Sequence, residues 1–528
     1  MAWLALLLVF GAVYARCLGH GFVWDDFSNV VDRSHFEAPL LSSLLATQHD
    51  FMDRSLLHSA KIPVPYESYR PLLFLSYFLD DALFERGAAA MHAHNLLIAM
   101  LCVLLAGWVC TQMLGDARLG FASAALFALH PLQTEAVCYV SARGDLLCML
   151  FALLSSGAFL RAVAADGRRE RAALTALAAV SYALSLGSKE AAALLPAGLA
   201  IWALALGRLG SARVPLLALV GTACTYAGLR LTLLGAELGV VDGGNTADAL
   251  WSLPGLGLEY LRVFFVPNDL SIERLAPGGA VDVLGWLLLA GVACLGALAL
   301  RDRLADWNET VRQVCAGLAW FYAMLAPSTL AVESMGVAAD RYASLPILGA
   351  CVAIVALVAR AGRAAKVRFP VPAAAAWAVT LVLVSAAQVS VWRDAEALYG
   401  NSLAVEPESS MAHYRLGVLR AKAQNWGEAL VYFEDALALD PENIRALNNV
   451  GVAYLSFGRL EQAEAALVRT LHLSGEMNFR AWNNLATLRF AQHRVEHACA
   501  ALQRALGINP DYAVARDNHE RNCAAEAG

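Results

Sequence analysis

The feature that most constrains this chain is a series of long apolar segments that fills residues 1–390 and then stops. Most of these segments are about 18 to 22 residues long, enough for a helix to cross the ~30 Å hydrocarbon core of a bilayer. Over all 528 residues, 59% of the side chains are hydrophobic and only 16% are charged, whereas soluble globular domains are more polar. The composition therefore predicts a polytopic membrane protein with an all-α fold.

Eleven segments qualify as transmembrane helices. They are 2–15, 94–114, 118–134, 145–165, 172–187, 191–207, 214–234, 283–300, 313–330, 342–359 and 370–390. The first is interpreted as a span rather than a signal peptide, because no convincing small-residue cleavage site precedes Phe22. A twelfth apolar piece, 251–266, contains Pro254, Glu259 and Arg262 and could equally be a re-entrant or interfacial helix.

The number of crossings sets the orientation of the loops. If residues 251–266 do not cross the membrane, four arginine-rich loops lie on one side, and the positive-inside rule makes that side cytoplasmic. If they do cross, two of those loops move outside and the charge bias is lost. The eleven-span arrangement is therefore favoured, and it places the first loop, 16–93, and all residues after the last span on the outer side.

From residue 391 onward the sequence repeats. Pro407, Pro441 and Pro510 fall on a 34-residue grid with one extra residue near Gly475, and 34 residues is the length of a tetratricopeptide repeat. Small residues recur where the two helices of such a repeat pack closest, namely Gly417, Gly451, Ala486, Ala429, Ala463 and Ala498. The chain is thus predicted to divide into a membrane domain, 1–390, and a repeat domain, 391–528, formed by a half repeat and three full repeats.

Charge and cysteine content restrict the partners. The net charge of −6 and the lack of a Lys/Arg run argue against nucleic acid. The eleven cysteines lie mostly in apolar segments without a C-x-x-C pair, so they are interpreted as small core residues. His92 and His94 are close in sequence, but no third ligand follows at a recognisable spacing. No metal site built by the protein is predicted, and the sequence leaves a bound divalent metal open.

The eleven-span arrangement collects ionisable residues on the outer side. In chain order they are Asp25, Asp26, Arg70, His92, His94, His130, Glu135, Arg143, Asp145, Lys189, Glu190, Asp340 and Arg341. Ionisable groups near the membrane core are costly, so each needs a reason. Together they match glycosyl transfer from a lipid phosphate, which requires a carboxylate to take the acceptor proton and cations to hold the departing phosphate. The alternative is that neighbouring charges form ordinary ion pairs at helix ends.

The order of the motifs resembles a known family. FVWDD at 22–26, YRPL at 69–72, HPLQTEAV at 130–137, SARGDLL at 141–147, SKE at 188–190 and DRYASLP at 340–346, followed by the repeats, is similar to the transmembrane and tetratricopeptide-repeat O-mannosyltransferases. The resemblance implies the multi-spanning C-type glycosyltransferase fold. It also implies transfer of a sugar, typically mannose, from a polyprenyl phosphate to Ser or Thr hydroxyls of proteins on the lumenal or periplasmic face.

The resemblance also implies roles for individual residues. It maps the catalytic acidic pair to Asp25 and Asp26, one of which would be the general base. The positions that bind donor phosphate or substrate map to Arg143, Lys189, Arg341, His130, Glu135, Glu190, Asp145 and Arg70. The repeat array is shorter than in animal members, and the Ala- and Arg-rich composition is typical of a bacterial inner-membrane protein. The lipid would then be undecaprenyl or decaprenyl phosphate, and the sugar need not be mannose.

Two other functions fit the same residues. A membrane scaffold would recruit an outer-side protein through its repeats and use the charged loops only for structure. An oligosaccharide ligase or polymerase would differ in the size of its outer cavity and in its donor. In the transferase interpretation, the repeats would present acceptor proteins or peptides to the membrane domain.

Overall fold

The computed structural model describes residues 1–26, 30, 70–85, 87–234, 246–275, 277–302, 307–335, 337–365 and 371–523. Most of the predicted first loop, including Tyr66 and Tyr69, lies outside these described residues. The described residues form two compact units, one before Ala395 and one from Ala395 onward.

The first unit is almost entirely helical. Its helices are α1 (Ala2–Tyr14), α2 (Pro71–Phe84), α3 (Ala88–Leu114), α4 (Ala117–Leu129), α5 (Thr134–Cys138), α6 (Arg143–Ala164), α7 (Arg168–Ser188), α8 (Leu195–Ala205), α9 (Leu209–Leu234), α10 (Thr246–Phe265), α11 (Ala280–Leu300), α12 (Asn308–Met335), α13 (Ile347–Ala365) and α14 (Val371–Val391). Short 3-10 helices occupy Ala15–Gly19, Pro131–Gln133, Val140–Ala142, Glu190–Ala192 and Asp340–Ala343. Two short strands, β1 (Arg274–Leu275) and β2 (Val337–Ala338), pair antiparallel.

The predicted membrane-helix architecture is confirmed. Seven helical segments among the described residues are long and apolar enough to cross a bilayer: Ala2–Gly19, Ala88–Leu114, Val140–Ala164, Leu209–Thr232, Ala280–Leu300, Asn308–Val332 and Ala374–Val391. Two shorter apolar helices are Ala117–Leu129 and Glu190–Ala205. Each of the eleven predicted spans contains a helix. The protein is therefore a multi-pass membrane protein.

Burial distinguishes the central helix from the lipid-facing ones. In Val140–Ala164, 72% of the apolar stretch is buried against the protein, compared with 17% in Leu209–Thr232 and 11% in Ala280–Leu300. A helix that is apolar and unburied has its free face in contact with lipid. Close packing at the centre depends on glycine, since a Cβ at Gly157 of α6 would lie 1.9 Å from the Trp108 ring. Helix α6 is therefore the core against which the first-unit site is built.

The second unit is a stack of paired helices. They are α15 (Ala395–Val405), α16 (Ser410–Lys422), α17 (Trp426–Leu439), α18 (Ile444–Ser456), α19 (Leu460–Leu473), α20 (Phe479–Ala491), α21 (Val495–Ile508) and α22 (Ala513–Cys523). The predicted small positions lie where paired helices touch: a Cβ at Gly417 would lie 2.6 Å from the Phe433 ring, and one at Gly451 would lie 2.7 Å from Leu467. The predicted α-solenoid is confirmed, and α22 is one helix more than the sequence predicted.

Four of the eleven cysteines form disulfides, which corrects their interpretation as small core residues. Cys17 pairs with Cys138 across a sequence separation of 121, and Cys499 pairs with Cys523 inside the second unit. The Cα atoms are 5.7 Å apart in both pairs, an ordinary separation for a disulfide. The sequence offers no pattern for a pairing across 121 residues, because folding brings the end of α1 beside the end of α5.

We predict that thiol counting will distinguish these pairs from the seven free cysteines. A maleimide reagent added to the unfolded, unreduced protein should modify seven thiols, and prior reduction should raise the number to eleven, as read by intact mass. Eleven reactive thiols before reduction, in protein isolated under oxidising conditions, would contradict the pairing.

Candidate active site

The acidic pair after α1 divides into one buried and one exposed carboxylate. Asp26 is fully buried, and its Oδ1 accepts the backbone N–H and the hydroxyl of Ser141 at 2.8 and 2.7 Å. Its Oδ2 accepts the backbone N–H of Val23 at 3.1 Å. Asp25 is exposed on the adjacent turn, where Trp24 has a left-handed backbone (φ 51°). Asp26 therefore fastens the turn to the start of the central span, and Asp25 is the carboxylate that a substrate could reach.

Arg341 lies in a cage of aromatic rings next to that turn. Its guanidinium is 5.3 Å from the Trp24 ring, 5.8 Å from Tyr139 and 5.1 Å from Tyr342. Trp24 and Tyr139 are themselves stacked, with ring centroids 5.4 Å apart. Glu135 accepts the backbone N–H of Arg341 at 2.8 Å and also pairs with its guanidinium. Cation–π contacts and a carboxylate thus hold the arginine in one place.

Asp145 joins Arg341 to Lys189. Its Oδ1 is 2.5 Å from the Lys189 ammonium, and its Oδ2 is 4.0 Å from Arg341 Nε. The ammonium also lies 5.4 Å from the Tyr342 ring. These groups come from α6, from the residue that follows α7, and from the 3-10 helix that precedes α13. Residues distant in sequence therefore form one continuous ionic network.

A small cavity opens beside this network. Asp145, Arg341 and Tyr342 contribute its polar lining, and Met149 and Met324 contribute apolar lining. The cavity therefore offers polar and apolar contacts side by side.

A second ion cluster contains an arginine that the sequence analysis missed. Glu190 accepts from Arg70 at 3.1 Å and from Arg230 at 2.6 Å. Arg230 lies near the end of α9, inside a segment predicted as a span. A lone arginine in an apolar segment is costly, and that cost is the signal that could have identified it.

Arg143 pairs with residues outside this network. It is 1% exposed, and its guanidinium donates to Asp80 at 2.6 Å, to Asn95 at 2.8 Å and to the Met91 carbonyl at 3.0 Å. These partners belong to α2 and α3. Arg143 is not among the described residues that line the cavity. Its contacts tie α6 to those two helices, and the predicted contact with donor phosphate stays a prediction.

The contacts of His130 are structural, and its predicted role in binding substrate stays a prediction. It is fully buried, its Nε2 lies 2.9 Å from the Phe264 carbonyl, and its ring stacks on Phe264 with centroids 4.6 Å apart. Its Nδ1 accepts the Leu132 backbone N–H. In the described part of the chain, no three His, Cys, Asp or Glu side chains are grouped so that they could hold a metal ion.

Burial shifts the proton affinities around the site. It raises the pKa of Asp26 to about 7, although the hydrogen bonds from Ser141 and Val23 act in the opposite direction. It also raises the pKa of Glu135 to about 7, against the attraction of Arg341. The same desolvation lowers the pKa of Lys189 below its usual range, against the attraction of Asp145. Groups with shifted pKa values and shared partners are typical of functional sites.

Comparisons with known proteins find two kinds of similarity. Residues 420–473 match one tetratricopeptide repeat family, and residues 385–444 and 448–513 match another. The protein O-mannosyl-transferase F38B6.6 of Caenorhabditis elegans is 30% identical over 145 residues, which is 26% of this chain and 20% of that protein. The protein O-mannosyl-transferase TMTC1 of Mus musculus is 35% identical over 144 residues, covering 26% of this chain and 15% of its own length.

A third relative gives a longer match. The protein O-mannosyl-transferase TMTC4 of Mus musculus is 30% identical over 188 residues, which is 32% of this chain and 24% of that protein. The resemblance predicted from the motif order is thereby confirmed, while each match spans a quarter or less of the relative's length. A solved structure of the APC/C hetero-tetramer Cut9-Hcn1 aligns over 92% of this chain and 98% of its own, at 14% identity and a TM-score of 0.26, a similarity too low to support an argument.

The structural role of Arg143 predicts a large loss of stability when its charge is removed. Arg143→Met leaves Asp80 and Asn95 buried without the guanidinium, at a cost on the order of 3 kcal/mol or more. The apparent Tm in detergent should fall accordingly. Arg161→Met is the matched control, since Arg161 is 56% exposed and pairs with Glu170 at 3.8 Å. Equal Tm values for the two variants would contradict the assignment.

The raised pKa of Asp26 predicts a pH-dependent stability. Because the folded-state value of about 7 exceeds the ordinary 3.8, the fold favours the protonated form. The stabilisation of the fold by protonated Asp26 is fully present below about pH 4 and is lost as pH rises through 7. Its size is on the order of 1.4 kcal/mol for each unit by which the folded-state pKa exceeds the ordinary value. We expect the Tm difference between wild type and Asp26→Asn to shift in favour of the variant from pH 4 to pH 7.5. A Tm difference that does not change with pH would refute the raised pKa of Asp26.

Proposed function

We propose that the protein is an integral membrane glycosyltransferase that moves a sugar from a polyprenyl phosphate to Ser or Thr hydroxyls of proteins. The observation that supports this most directly is the position of Asp25. This exposed carboxylate follows Trp24, whose ring contacts Arg341, and Arg341 lines the cavity. A base and a cation are thus held on one scaffold. The names of the relatives make mannose the first sugar to test.

In the proposed reaction, Asp25 takes the proton of the acceptor hydroxyl as its oxygen attacks the anomeric carbon of the sugar. The new glycosidic bond forms while the bond between that carbon and the phosphate oxygen breaks. The electron pair leaves with the polyprenyl phosphate, whose developing negative charge is stabilised by the cations of the site, among them Lys189. The proton and the leaving group depart in opposite directions. One carboxylate to accept the proton and one cationic region to hold the phosphate are therefore sufficient for the transfer.

The lining of the cavity supports a sugar as the transferred group. Tyr342 offers an aromatic face of the kind on which the apolar side of a sugar ring packs, and Asp145 offers a carboxylate for its hydroxyl groups.

Two independent arguments support an outer, periplasmic or lumenal orientation of the site. The positive-inside rule places the arginine-rich loops in the cytoplasm, so the ends of α1 and α5 are outside. These ends carry the Cys17–Cys138 disulfide, and the second unit carries Cys499–Cys523. Disulfides persist in the periplasm and the lumen and are rare in the cytosol. On that side, the tetratricopeptide repeats would present acceptor peptides.

The proposal predicts that Asp25→Asn abolishes transfer. Losing a general base should lower kcat by about 10²- to 10⁴-fold, because the hydroxyl proton then has no acceptor. The measurement uses purified full-length protein in lipid nanodiscs, a synthetic polyprenyl-phosphate mannose and Ser/Thr acceptor peptides, with the product detected by mass spectrometry.

The matched control is Asp166→Asn, which alters another exposed aspartate, one in the turn between α6 and α7. Asp166→Asn should transfer sugar at the wild-type rate. Turnover retained by Asp25→Asn within threefold of wild type would remove Asp25 from the mechanism. If Asp26→Asn were equally active, the acidic pair would have no catalytic role.

A further inference from the structure

We propose that the hydroxyl groups of Ser328 and Tyr342 bind the ring hydroxyls of the transferred sugar and thereby select which sugar the protein accepts. The inference rests on the proposed function, because it names the residues of that site that recognise the sugar. Both side chains line the cavity beside the ionic network. Ser328 belongs to no motif of the sequence analysis. It lies on α12, about one helical turn after Met324, which lines the same cavity.

Most other polar groups of the cavity wall have partners within the protein. The Asp145 carboxylate and the Arg341 guanidinium belong to the ionic network. The Ser344 hydroxyl donates to the Leu132 carbonyl at 3.4 Å, and the Cys148 thiol donates to a backbone carbonyl at 3.3 Å. A ligand is therefore not needed to satisfy these groups.

The hydroxyls of Ser328 and Tyr342 differ from these groups. Neither hydroxyl makes a hydrogen bond to a side chain or a carbonyl within the part of the chain that the structure describes. The two residues are only 8% and 9% exposed, so bulk water has little access to them. A nearly buried hydroxyl without a partner is costly, and a ligand in the cavity would supply the missing donors and acceptors.

The neighbouring residue Thr329 shows how such a hydroxyl is ordinarily satisfied within a helix. Its hydroxyl donates to the Ala326 carbonyl of α12 at 2.7 Å. Thr329 is 1% exposed and is not among the described residues that line the cavity. Ser328, one position earlier, makes no such bond to its own helix and lines the cavity. The Ser328 hydroxyl is therefore available to a ligand.

The chemistry of a hydroxyl favours a sugar over the phosphate that carries it. A hydroxyl both donates and accepts hydrogen bonds, as the hydroxyls of a sugar ring do, whereas an ionised phosphate is best held by charged donors. The Tyr342 ring is held by Arg341 and Lys189, whose cationic groups lie 5.1 and 5.4 Å from its centroid. Its hydroxyl therefore has a fixed position. Fixed hydrogen-bonding groups can distinguish sugars that differ in the direction of one hydroxyl.

The first test is the affinity that the sugar adds to the lipid phosphate, measured on full-length protein in nanodiscs. Wild type should bind one of the mannose, glucose and galactose forms of polyprenyl phosphate more tightly than the sugar-free lipid. Ser328→Ala should weaken binding of that form about 3- to 10-fold, the equivalent of one hydrogen bond, and leave binding of the sugar-free lipid unchanged. Thr329→Val is the matched control and should bind both lipids like wild type. An equal loss for both lipids in Ser328→Ala, or no loss for either, would overturn the inference.

The second test compares transfer from the mannose, glucose and galactose donors. Ser328→Ala should reduce the ratio of kcat/KM between the preferred sugar and the others by about 3- to 10-fold, because the lost hydrogen bond is made best with the preferred sugar. An unchanged ratio would contradict the inference. A raised KM for the acceptor peptide with an unchanged ratio would also contradict it, since the hydroxyl would then bind the acceptor.

Tyr342→Phe is an independent variant that keeps the test decisive if Ser328→Ala fails to fold. It keeps the aromatic ring and removes only the hydroxyl, so it should show the same loss for the sugar-bearing lipid alone. Binding that depends on the sugar and on these hydroxyls, without any transfer, would refute the transferase and leave the sugar site standing. Transfer by a protein whose sugar-dependent affinity is unchanged in both variants would refute this inference alone.

Discussion

The interaction on which the rest of the site depends is the pairing of Arg341 with Glu135. It joins the segment before α13 to the short helix α5, which lie far apart in the sequence, and it does so where both groups are largely buried. A buried ion pair that loses one partner leaves an uncompensated charge, a loss of ~3–5 kcal/mol. With Arg341 fixed in this way, its guanidinium supports Trp24 and Tyr139, and Trp24 in turn sets the position of Asp25.

The same constraint explains why charges occur in clusters near the ends of the apolar helices. A lone charge next to lipid is unstable, so each cation is paired with a carboxylate on another helix. Asp145 forms ion pairs with Lys189 and Arg341, and Glu190 forms ion pairs with Arg70 and Arg230. These shared carboxylates hold the helices in register, and they also leave the ion network close to balance.

Much of this architecture could be predicted from the sequence, because hydrophobic length and repeat period are local properties. The helices of the membrane unit and the 34-residue repeats follow from them directly. The roles of single charged residues could not be predicted in this way, because a motif gives residue type and order but not the partner that each side chain contacts. Asp25 and Asp26 are adjacent, yet one is exposed and the other buried on Ser141. Arg143 lies within a recognised motif and pairs with the buried Asp80, whereas Arg230 lies outside every motif and contacts Glu190.

The central claim is that this membrane unit transfers a sugar from a lipid phosphate, and a donor-selectivity measurement tests it most directly. Purified wild-type protein in nanodiscs would receive radiolabelled mannose on either polyprenyl phosphate or a soluble nucleotide, together with Ser/Thr acceptor peptides. The label should reach the peptide only when the mannose is supplied on the lipid donor. Each modified residue should then carry one sugar. Equal transfer from the nucleotide sugar, or no transfer from the lipid donor to any acceptor, would contradict the account.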